Sequence, residues 1–206
     1  MKFSSYLDPQ FIFTDLKGTT PEEIIKEMVG RIAEKDKKVS EFKEQIISSV
    51  IKREREISTG MGNGIAIPHA RMEKFDDFIV SIGVLENPIE VEIAATNKLD
   101  EVKLVFLIVS DVLKNKNILK VMSAVSRIAT KHKDLLAKIK EEKRAAKIVS
   151  YIQESNIEID HRITAEDVLS PDIRPALLTN TLEEIAKRLI PVSYTHLRAH
   201  ETDSYL

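Results

Sequence analysis

The sequence predicts an α/β domain in which buried strands are layered between helices, because its hydrophobic periodicity changes twice along the chain. Helical spacing governs the first part, from about residue 21 to the mid-fifties. Short, β-branched, mostly apolar runs follow between residues 65 and 109, and helical spacing returns from about Asn117. Helices before and after a cluster of strands are typical of a layered α/β domain, which we expect to end near residue 154.

Two helices are predicted before the strands. Thr20 fits the N-cap of the first, Pro21 its first helical position and Glu23 the partner of a capping box. Its apolar positions recur at helical spacing and are predicted to face a core: Ile24, Ile25, Met28, Val29 and Ile32. The second helix is predicted from about Ser40, with Arg53 near its end and an apolar stripe formed by Phe42, Ile46, Ile47, Val50 and Ile51.

Strands are predicted next, and helices after them. Residues 78–85 and 104–109 are apolar enough for strands that are covered on both faces, whereas residues 89–93 alternate and should have one wet face. A helix is predicted from Asn117 to about Ala129, and another over residues 145–152. The lysine- and glutamate-rich stretch between them is predicted to be a solvated helical face.

The segment 58–71 carries the strongest functional signal, because it places one histidine after a glycine-rich turn and a short apolar strand. Gly60, Gly62 and Gly64 allow backbone N–H groups to point into one concavity, which is a common way to bind an anion. Residues 65–67 then form a predicted buried strand, which Pro68 ends. His69 is therefore expected at a strand end, on a rigid scaffold.

This segment, together with its lead-in Arg53-Glu54-Arg55-Glu56-Ile57-Ser58-Thr59, resembles the active-site motif of the type-2 enzyme IIA domains of the bacterial phosphoenolpyruvate-dependent sugar phosphotransferase system. That group comprises the fructose and mannitol proteins and their nitrogen-related regulatory paralogues. The element order is similar over about the first 150 residues. The resemblance implies a mixed five-stranded sheet sandwiched between helices.

The resemblance also implies that His69 is a tele-phosphohistidine, with the phosphoryl group on Nε2 and a hydrogen bond donated by Nδ1. Phosphoryl transfer depends on positioning and charge stabilisation. Arg53 is the best candidate for stabilising the phosphoryl oxygens, because a guanidinium presents two parallel donors. Thr59 is a candidate for a further hydroxyl donor. Backbone N–H groups of the turn, from Gly60, Gly62, Asn63 and Gly64, are candidates for binding the phosphate.

Asn117 stands where family members commonly carry a second histidine, just before a helix. An asparagine amide is able to donate to a phosphate oxygen or to orient His69, but it cannot take a positive charge. We therefore assign Asn117 to the predicted site as a neutral replacement for that histidine.

The resemblance implies a phosphocarrier that accepts a phosphoryl group from the phosphohistidine carrier protein and passes it to a cysteine of a sugar-specific IIB domain. The IIB domain would phosphorylate the sugar during uptake through a membrane permease, and no cofactor is required. Two alternatives stay open. One is a nitrogen-related regulatory protein that signals through its phosphorylation state, and the other is a degenerate, non-catalytic interaction module.

Composition narrows the other function classes. The chain has 206 residues, a formal charge of −2 and 31% charged residues, so a basic nucleic-acid-binding character is not indicated. Cysteine is absent, and no apolar run approaches the roughly 18–20 residues that span a bilayer. We therefore expect a soluble cytoplasmic protein without membrane insertion. The histidines lack metal-ligand spacing, and the glycines match neither a P-loop nor a dinucleotide fingerprint, so no metal or nucleotide is expected.

The last part of the chain is predicted to be organised differently. Residues 155–165 are expected to be a linker. Residues 166–190 resemble the opening of the domain, since Thr181-Leu182-Glu183-Glu184-Ile185 is similar to Thr20-Pro21-Glu22-Glu23-Ile24, and they are interpreted as the truncated start of a second copy. The alternative is that residues 181–185 are simply the start of a short capped helix, since any such helix has a similar sequence. Residues 191–206 resemble a translated adapter and are expected to be a non-native tail.

Overall fold

The computed structural model describes residues 2–94, 96–112 and 115–159. The predicted second copy (166–190) and the predicted tail (191–206) lie outside the described residues, as do residues 160–165 of the predicted linker. Two 3-10 turns, Phe3–Tyr6 and Pro9–Phe11, precede the first strand. The helices are α1 Pro21–Ala33, α2 Lys37–Glu56, α3 Asn115–Lys131, α4 Lys133–Glu141 and α5 Ala145–Glu154. The strands are β1 Ile12–Leu16, β2 Gly60–Gly62, β3 Ile65–Ala66, β4 His69–Met72, β5 Phe78–Ile93 and β6 Lys98–Asp111.

The sheet is mixed, as predicted, but it has six strands rather than five, in the order β1-β5-β2-β3-β6-β4. Strands β5 and β6 form a long antiparallel hairpin at its centre. Strand β1 runs parallel to β5, while β3 and β4 both run parallel to β6. The predicted strands 78–85 and 89–93 are one strand with a register shift between Val84 and Ile89. The count of five was implied by the family resemblance. The sequence pattern itself indicated β3, β5 and β6 and missed β1, β2 and β4, of which β2 and β4 have only three and four residues.

Helices cover both faces of the sheet, which confirms the predicted layering. Alternate residues of β6 point to opposite faces, so Leu104 and Phe106 pack with α3, α4 and α5, whereas Val105 and Leu107 pack with α1 and α2. All four side chains are at most 3% exposed. A strand that is buried on both faces explains the continuous apolar run that the sequence shows there.

Helix α1 has the predicted N-cap but a different closing contact. The Thr20 hydroxyl accepts the Glu23 backbone N–H at 3.2 Å. The Glu23 carboxylate, however, accepts the backbone N–H and the hydroxyl of Thr19, each at 2.8 Å, rather than the Thr20 N–H of a standard capping box. The five predicted core positions of α1 are all buried.

Helix α2 begins three residues before the predicted Ser40. Its N-cap is Asp36, whose side chain accepts the Val39 backbone N–H at 2.8 Å. Of the predicted apolar stripe, Ile46, Val50 and Ile51 are buried, whereas Phe42 and Ile47 are half-buried. The last turn of α2, which includes Arg53, lies at the edge of the sheet, beside the start of β4.

The domain extends beyond the predicted boundary at residue 154. Ile157 and Ile159 are buried in the core beneath α3 and α5. The carbonyl of Ile157 accepts the Phe3 backbone N–H at 2.8 Å, and Lys2 forms an antiparallel bridge with Glu158. The first residues of the predicted linker therefore pack against the start of the chain.

Candidate active site

His69 is the first residue of β4, where it lies beside Ile108 of β6. The sequence predicted that Pro68 ends a strand with His69 exposed after it. Strand β3 does end before Pro68, but a further strand, β4, begins at His69, and the Pro68 carbonyl accepts the Ile108 backbone N–H at 3.0 Å. Because Pro68 lacks an N–H but keeps its carbonyl, the chain continues along β6 and delivers His69 into the sheet. The imidazole is half-buried.

The tautomer of His69 follows from one contact. Its Nδ1 lies 2.9 Å from the carbonyl oxygen of Ile67. A carbonyl only accepts hydrogen bonds, so Nδ1 carries the proton and the lone pair is on Nε2. Among the described residues, Nε2 makes no hydrogen bond. The ring therefore presents an unprotonated nitrogen away from the strand.

The electrostatic surroundings keep His69 neutral. Burial lowers the pKa of His69 below its ordinary value of 6.5, and the positive charges of Arg53 and Arg71 lower that pKa further. The hydrogen bond to Ile67 acts in the opposite direction but does not reverse the shift. At pH 7 the side chain is consequently a neutral imidazole, the form in which Nε2 is nucleophilic.

An open depression beside His69 is formed by one face of α2 and by the start of β4. The helix contributes Ser49, Lys52, Arg53 and Glu56, which recur at helical spacing, and the strand contributes His69, Ala70 and Arg71. Three cations and one carboxylate thus surround the imidazole. An anion the size of a phosphoryl group finds both open access and positive charge here.

Arg53 lines this depression together with His69. It is half-buried, and its Nη1 donates to the Ile57 carbonyl at 3.0 Å, across the C-terminal end of α2. That bond holds the guanidinium near the strand and leaves its other N–H groups for a ligand.

Arg71 was missed by the sequence reasoning. It is exposed and lies two residues after His69 on β4, so the two side chains share one face of the strand. The signal was present in the sequence as a His-x-Arg pair. It was overlooked because Pro68 was taken to end the strand, so a periodicity of two was not considered after it.

Thr59 does not line the depression; it connects the end of α2 to the segment that precedes His69. Its hydroxyl donates to Glu54 Oε2 at 2.6 Å and its backbone N–H donates to Glu54 Oε1 at 3.0 Å. Its carbonyl accepts the Ile67 backbone N–H at 3.1 Å. Since the hydroxyl proton is engaged by Glu54 and Thr59 is only 9% exposed, the structure gives it a positioning role rather than contact with a phosphoryl group.

The glycine turn is not near His69. Asn63 and Gly64 are the two turn residues of the β2–β3 hairpin, with φ of 57° and 70°, as a type I′ turn requires. The Gly64 N–H, predicted to bind phosphate, donates to Asp100 Oδ2 at 2.7 Å. Ile65 pairs with Leu104 and His69 with Ile108, so four residues, or about 13 Å, of strand separate them.

Gly60 and Gly62 complete the hairpin. Gly60 pairs with Ala66 of β3, and a side chain there would collide with the Glu92 carbonyl at 2.5 Å. These glycines are thus explained by backbone geometry. The predicted phosphate-binding group of Gly60, Gly62, Asn63 and Gly64 is a strand-connecting hairpin, and we leave it out of the site.

Asn117 is half-buried in the first turn of α3. It does not line the depression that holds His69 and Arg53. Helix α3 follows the end of β6 at Asp111, which pairs with Met72 at the far end of β4 from His69. The assignment of Asn117 to the site therefore stays a prediction.

Within residues 2–94, 96–112 and 115–159, no group of three or more histidine, aspartate or glutamate side chains is placed to hold a metal ion. In that same part of the chain, no helix is both long enough and apolar enough to cross a bilayer.

Comparison with known proteins places the chain in a family. Residues 5–155 match the family described as "Phosphoenolpyruvate-dependent sugar phosphotransferase system, EIIA 2". A curated relative, the nitrogen regulatory protein of Bradyrhizobium diazoefficiens, is 23% identical over 152 residues, which are 74% of this chain and 95% of the relative. A second, from Pseudomonas aeruginosa, is 28% identical over 91 residues, or 44% of this chain and 57% of the relative.

Solved structures share the fold at low sequence identity. Nitrogen regulatory protein IIA-Ntr from Neisseria meningitidis has a TM-score of 0.56 at 17% identity, covering 72% of this chain and 97% of that one. IIA mannitol from Escherichia coli has a TM-score of 0.54 at 14% identity, covering 71% and 98%. With the family match spanning most of the described domain, the chain belongs to the type-2 enzyme IIA family of the phosphoenolpyruvate-dependent sugar phosphotransferase system.

Proposed function

We propose that this chain is a phosphocarrier in which His69 Nε2 accepts a phosphoryl group from the phosphohistidine carrier protein and passes it to a cysteine of a IIB domain. The observation that carries the proposal is the 2.9 Å contact between His69 Nδ1 and the Ile67 carbonyl. It fixes the proton on one nitrogen and leaves the other as a nucleophile beside Arg53 and an open surface.

The transfer needs no proton movement on His69. The Nε2 lone pair forms the new bond to phosphorus while the donor's own nitrogen–phosphorus bond breaks, and the donor nitrogen keeps the electron pair. The imidazole that results is positively charged, and its Nδ1–H remains bound to the Ile67 carbonyl. Arg53 stabilises the charge on the phosphoryl oxygens, which is the main contribution that a protein makes to phosphoryl transfer.

The proposed acceptor is a sugar-specific IIB domain that serves a membrane permease, which places the protein's work in the cytoplasm and in sugar uptake. The depression suits two partners in turn because it is open: Lys52 and Arg71, on its helix and strand sides, are both exposed. Apart from the phosphoryl group borne by the partner proteins, no cofactor enters the scheme.

A second candidate is regulation through the phosphorylation state rather than sugar transport. It is favoured by the relatives from Bradyrhizobium diazoefficiens and Pseudomonas aeruginosa, both of which are named nitrogen regulatory proteins. The chemistry at His69 is the same in both candidates. They differ in the acceptor, so the acceptor is what an experiment must identify.

The first experiment measures radiolabel transfer from phosphoenolpyruvate through purified enzyme I and the phosphohistidine carrier protein to the full chain. We expect acid-labile, base-stable label on the wild type and none on His69→Ala. Asn117→His is compared with the wild type, and we expect no acceleration because Asn117 lies outside the depression. Absence of label on folded wild-type protein would overturn the proposal and leave an interaction module as the better account.

The second experiment identifies the acceptor. Labelled protein is incubated with purified sugar-specific IIB domains, and the cognate gene is deleted in the source organism. Label that moves to a IIB cysteine, together with lost uptake of one sugar, supports transport. Retention of the label, with altered nitrogen or potassium control in the deletion strain, supports regulation.

A further inference from the structure

Arg71 is a cation of the depression without a hydrogen bond or ion pair among the described residues, as is Lys52 on the helix side, but only Arg71 shares a strand with His69. It is exposed, and neither a hydrogen bond nor an ion pair connects its guanidinium to another described side chain or carbonyl. By contrast, Arg53 donates to the Ile57 carbonyl, and Arg55, on the same helix, pairs with Glu22 at 2.7 Å. Arg71 therefore keeps all its N–H donors for a ligand.

Strand geometry aims Arg71 at the same ligand as His69. The two residues are separated by one position on β4, which puts them on one face and about 7 Å apart along the strand. An arginine side chain is long enough to span that distance and to reach an atom bonded to Nε2. The positive charge of Arg71 also acts on the imidazole itself, since it lowers the pKa of His69.

A phosphoryl group on His69 would present more acceptor oxygens than a bidentate contact with Arg53 satisfies, and one N–H group of Arg53 already donates to the Ile57 carbonyl. The phosphoryl group carries close to two negative charges at pH 7 and three acceptor oxygens, whereas one guanidinium binds two oxygens at most. Asn117 is neutral and lies outside the depression. The remaining cations there are Lys52 and Arg71, and Glu56 offsets one positive charge on the helix side.

We propose that Arg71 is a catalytic residue of phosphoryl transfer, whose guanidinium donates hydrogen bonds to the phosphoryl oxygens on His69 from the strand side while Arg53 does so from the helix side. The proposal rests on the proposed function of His69 and adds a residue to it. Arg71 stays protonated throughout, so it stabilises charge and exchanges no proton. The bonds made and broken are those at Nε2 and at the donor nitrogen only.

The test uses the full chain as wild type, Arg71→Gln, Arg71→Lys and the matched control Arg55→Gln, which removes a nearby exposed arginine outside the depression. The quantity measured is the equilibrium ratio of phosphorylated chain to phosphorylated carrier protein. We expect Arg71→Gln to lower the exchange constant about fivefold, as for a charge pair at a partly exposed site. Arg71→Lys should recover part of that loss, since it keeps the charge but loses the fork. Arg55→Gln should match the wild type.

A second measurement separates contact with the phosphoryl group from docking of the carrier protein. Phosphoramidate, a small phosphoryl donor, is used in place of the carrier, and the rate of His69 phosphorylation is followed. We expect Arg71→Gln to slow this reaction by a similar factor. In the unphosphorylated protein, NMR titration of His69 should give a higher pKa in Arg71→Gln than in the wild type, and an unchanged one in Arg55→Gln.

Three results would overturn the proposal, and they differ from one another. Equal exchange constants and phosphoramidate rates for wild type and Arg71→Gln would show that the guanidinium does not touch the phosphoryl group. A defect seen with the carrier protein but not with phosphoramidate would make Arg71 a docking residue. If no variant, including wild type, were phosphorylated while the titration of His69 still responded to Arg71, the proposed function itself would fail.

Discussion

Replacing Glu54 by alanine should destabilise the protein and slow its phosphorylation, although Glu54 does not line the depression. Its carboxylate begins a chain of hydrogen bonds that ends at the imidazole of His69. Glu54 accepts the N–H and the hydroxyl of Thr59, the Thr59 carbonyl accepts the Ile67 N–H, and the Ile67 carbonyl holds His69 Nδ1. Glu54 thereby fixes the end of α2, with Arg53, against the segment that orients His69.

The magnitude follows from the two short contacts with Thr59 that are lost, since the third contact of Glu54, from the Ser58 hydroxyl, is long at 3.4 Å. Hydrogen bonds to a charged acceptor contribute about 1.5–3 kcal/mol each when buried, and exposure reduces this. Thr59 is buried but Glu54 is only half-buried, so we expect Glu54→Ala to lower the free energy of unfolding by about 2–3 kcal/mol in total. With an m-value of about 2 kcal/mol/M in urea, the unfolding midpoint should fall by about 1 M.

The assay is urea unfolding of the full chain, with Glu44→Ala as the matched control. Glu44 lies on the same helix and is exposed, so its replacement should change the free energy of unfolding by less than about 0.5 kcal/mol. Phosphorylation by the carrier protein, measured without urea, should be slower in Glu54→Ala than in Glu44→Ala. If both variants had the wild-type midpoint and rate, the reasoning that links Glu54 to His69 would be refuted.

Two further predictions concern pH and the glycine turn. Because the pKa of His69 is below 6.5 in the folded protein, the unfolded chain takes up a proton there first as the pH falls through about 6.5. Protonation of His69 should therefore lower the free energy of unfolding as the pH falls from about 6.5 to the pKa of His69 in the folded protein. His69→Gln should reduce the difference in urea midpoint between pH 7.5 and 5.5. An identical pH dependence in both proteins would contradict the lowered pKa. Gly64→Ala places a side chain at φ of 70° and 2.9 Å from the Glu101 carbonyl, so it should cost about 1–2 kcal/mol of stability while the folded protein is still labelled at His69. A folded Gly64→Ala protein with a more than tenfold slower phosphorylation would return the turn to the active site.

The helical layers of the fold were predictable because long amphipathic helices have a clear periodicity of apolar residues in the sequence. The buried stripe of α1 and its N-cap at Thr20 are examples. Strand β3 was predicted within residues 65–67, but β2 and β4 were not, since they have only three and four residues and owe their pairing to the neighbouring strands. Periodicity needs more residues than these strands have.

The role of the glycine turn illustrates a pattern with two physical explanations. Gly60, Gly62 and Gly64 permit an anion-binding concavity, and Asn63-Gly64 between apolar residues is equally a strong hairpin signal. Only the tertiary partner decides between them, and it is Asp100, which occupies the Gly64 N–H from 36 residues away. A protein carboxylate thus takes the place predicted for phosphate.

At the candidate site, His69 and Arg53 could be proposed from the sequence, whereas the residues around them were less predictable. His69 stood out by its motif, and Arg53 by its charge at the end of a helix. The acceptor for Nδ1 is the carbonyl of Ile67, two residues back, which depends on how Pro68 bends the chain. To predict that Arg71 lies at the site, one would have to know that a strand begins at His69. Both follow from backbone geometry that residue types alone do not encode.

The central claim is that the phosphoryl group is carried by Nε2 of His69, and direct observation of that bond tests it best. The full chain, labelled with nitrogen-15 in histidine, is phosphorylated through the carrier protein and examined by NMR for coupling between phosphorus and the ring nitrogens. Coupling to Nε2 of His69, with Nδ1 still protonated and bound to the Ile67 carbonyl, is the predicted result. Phosphorus bound to Nδ1, or to any other residue, would contradict the account.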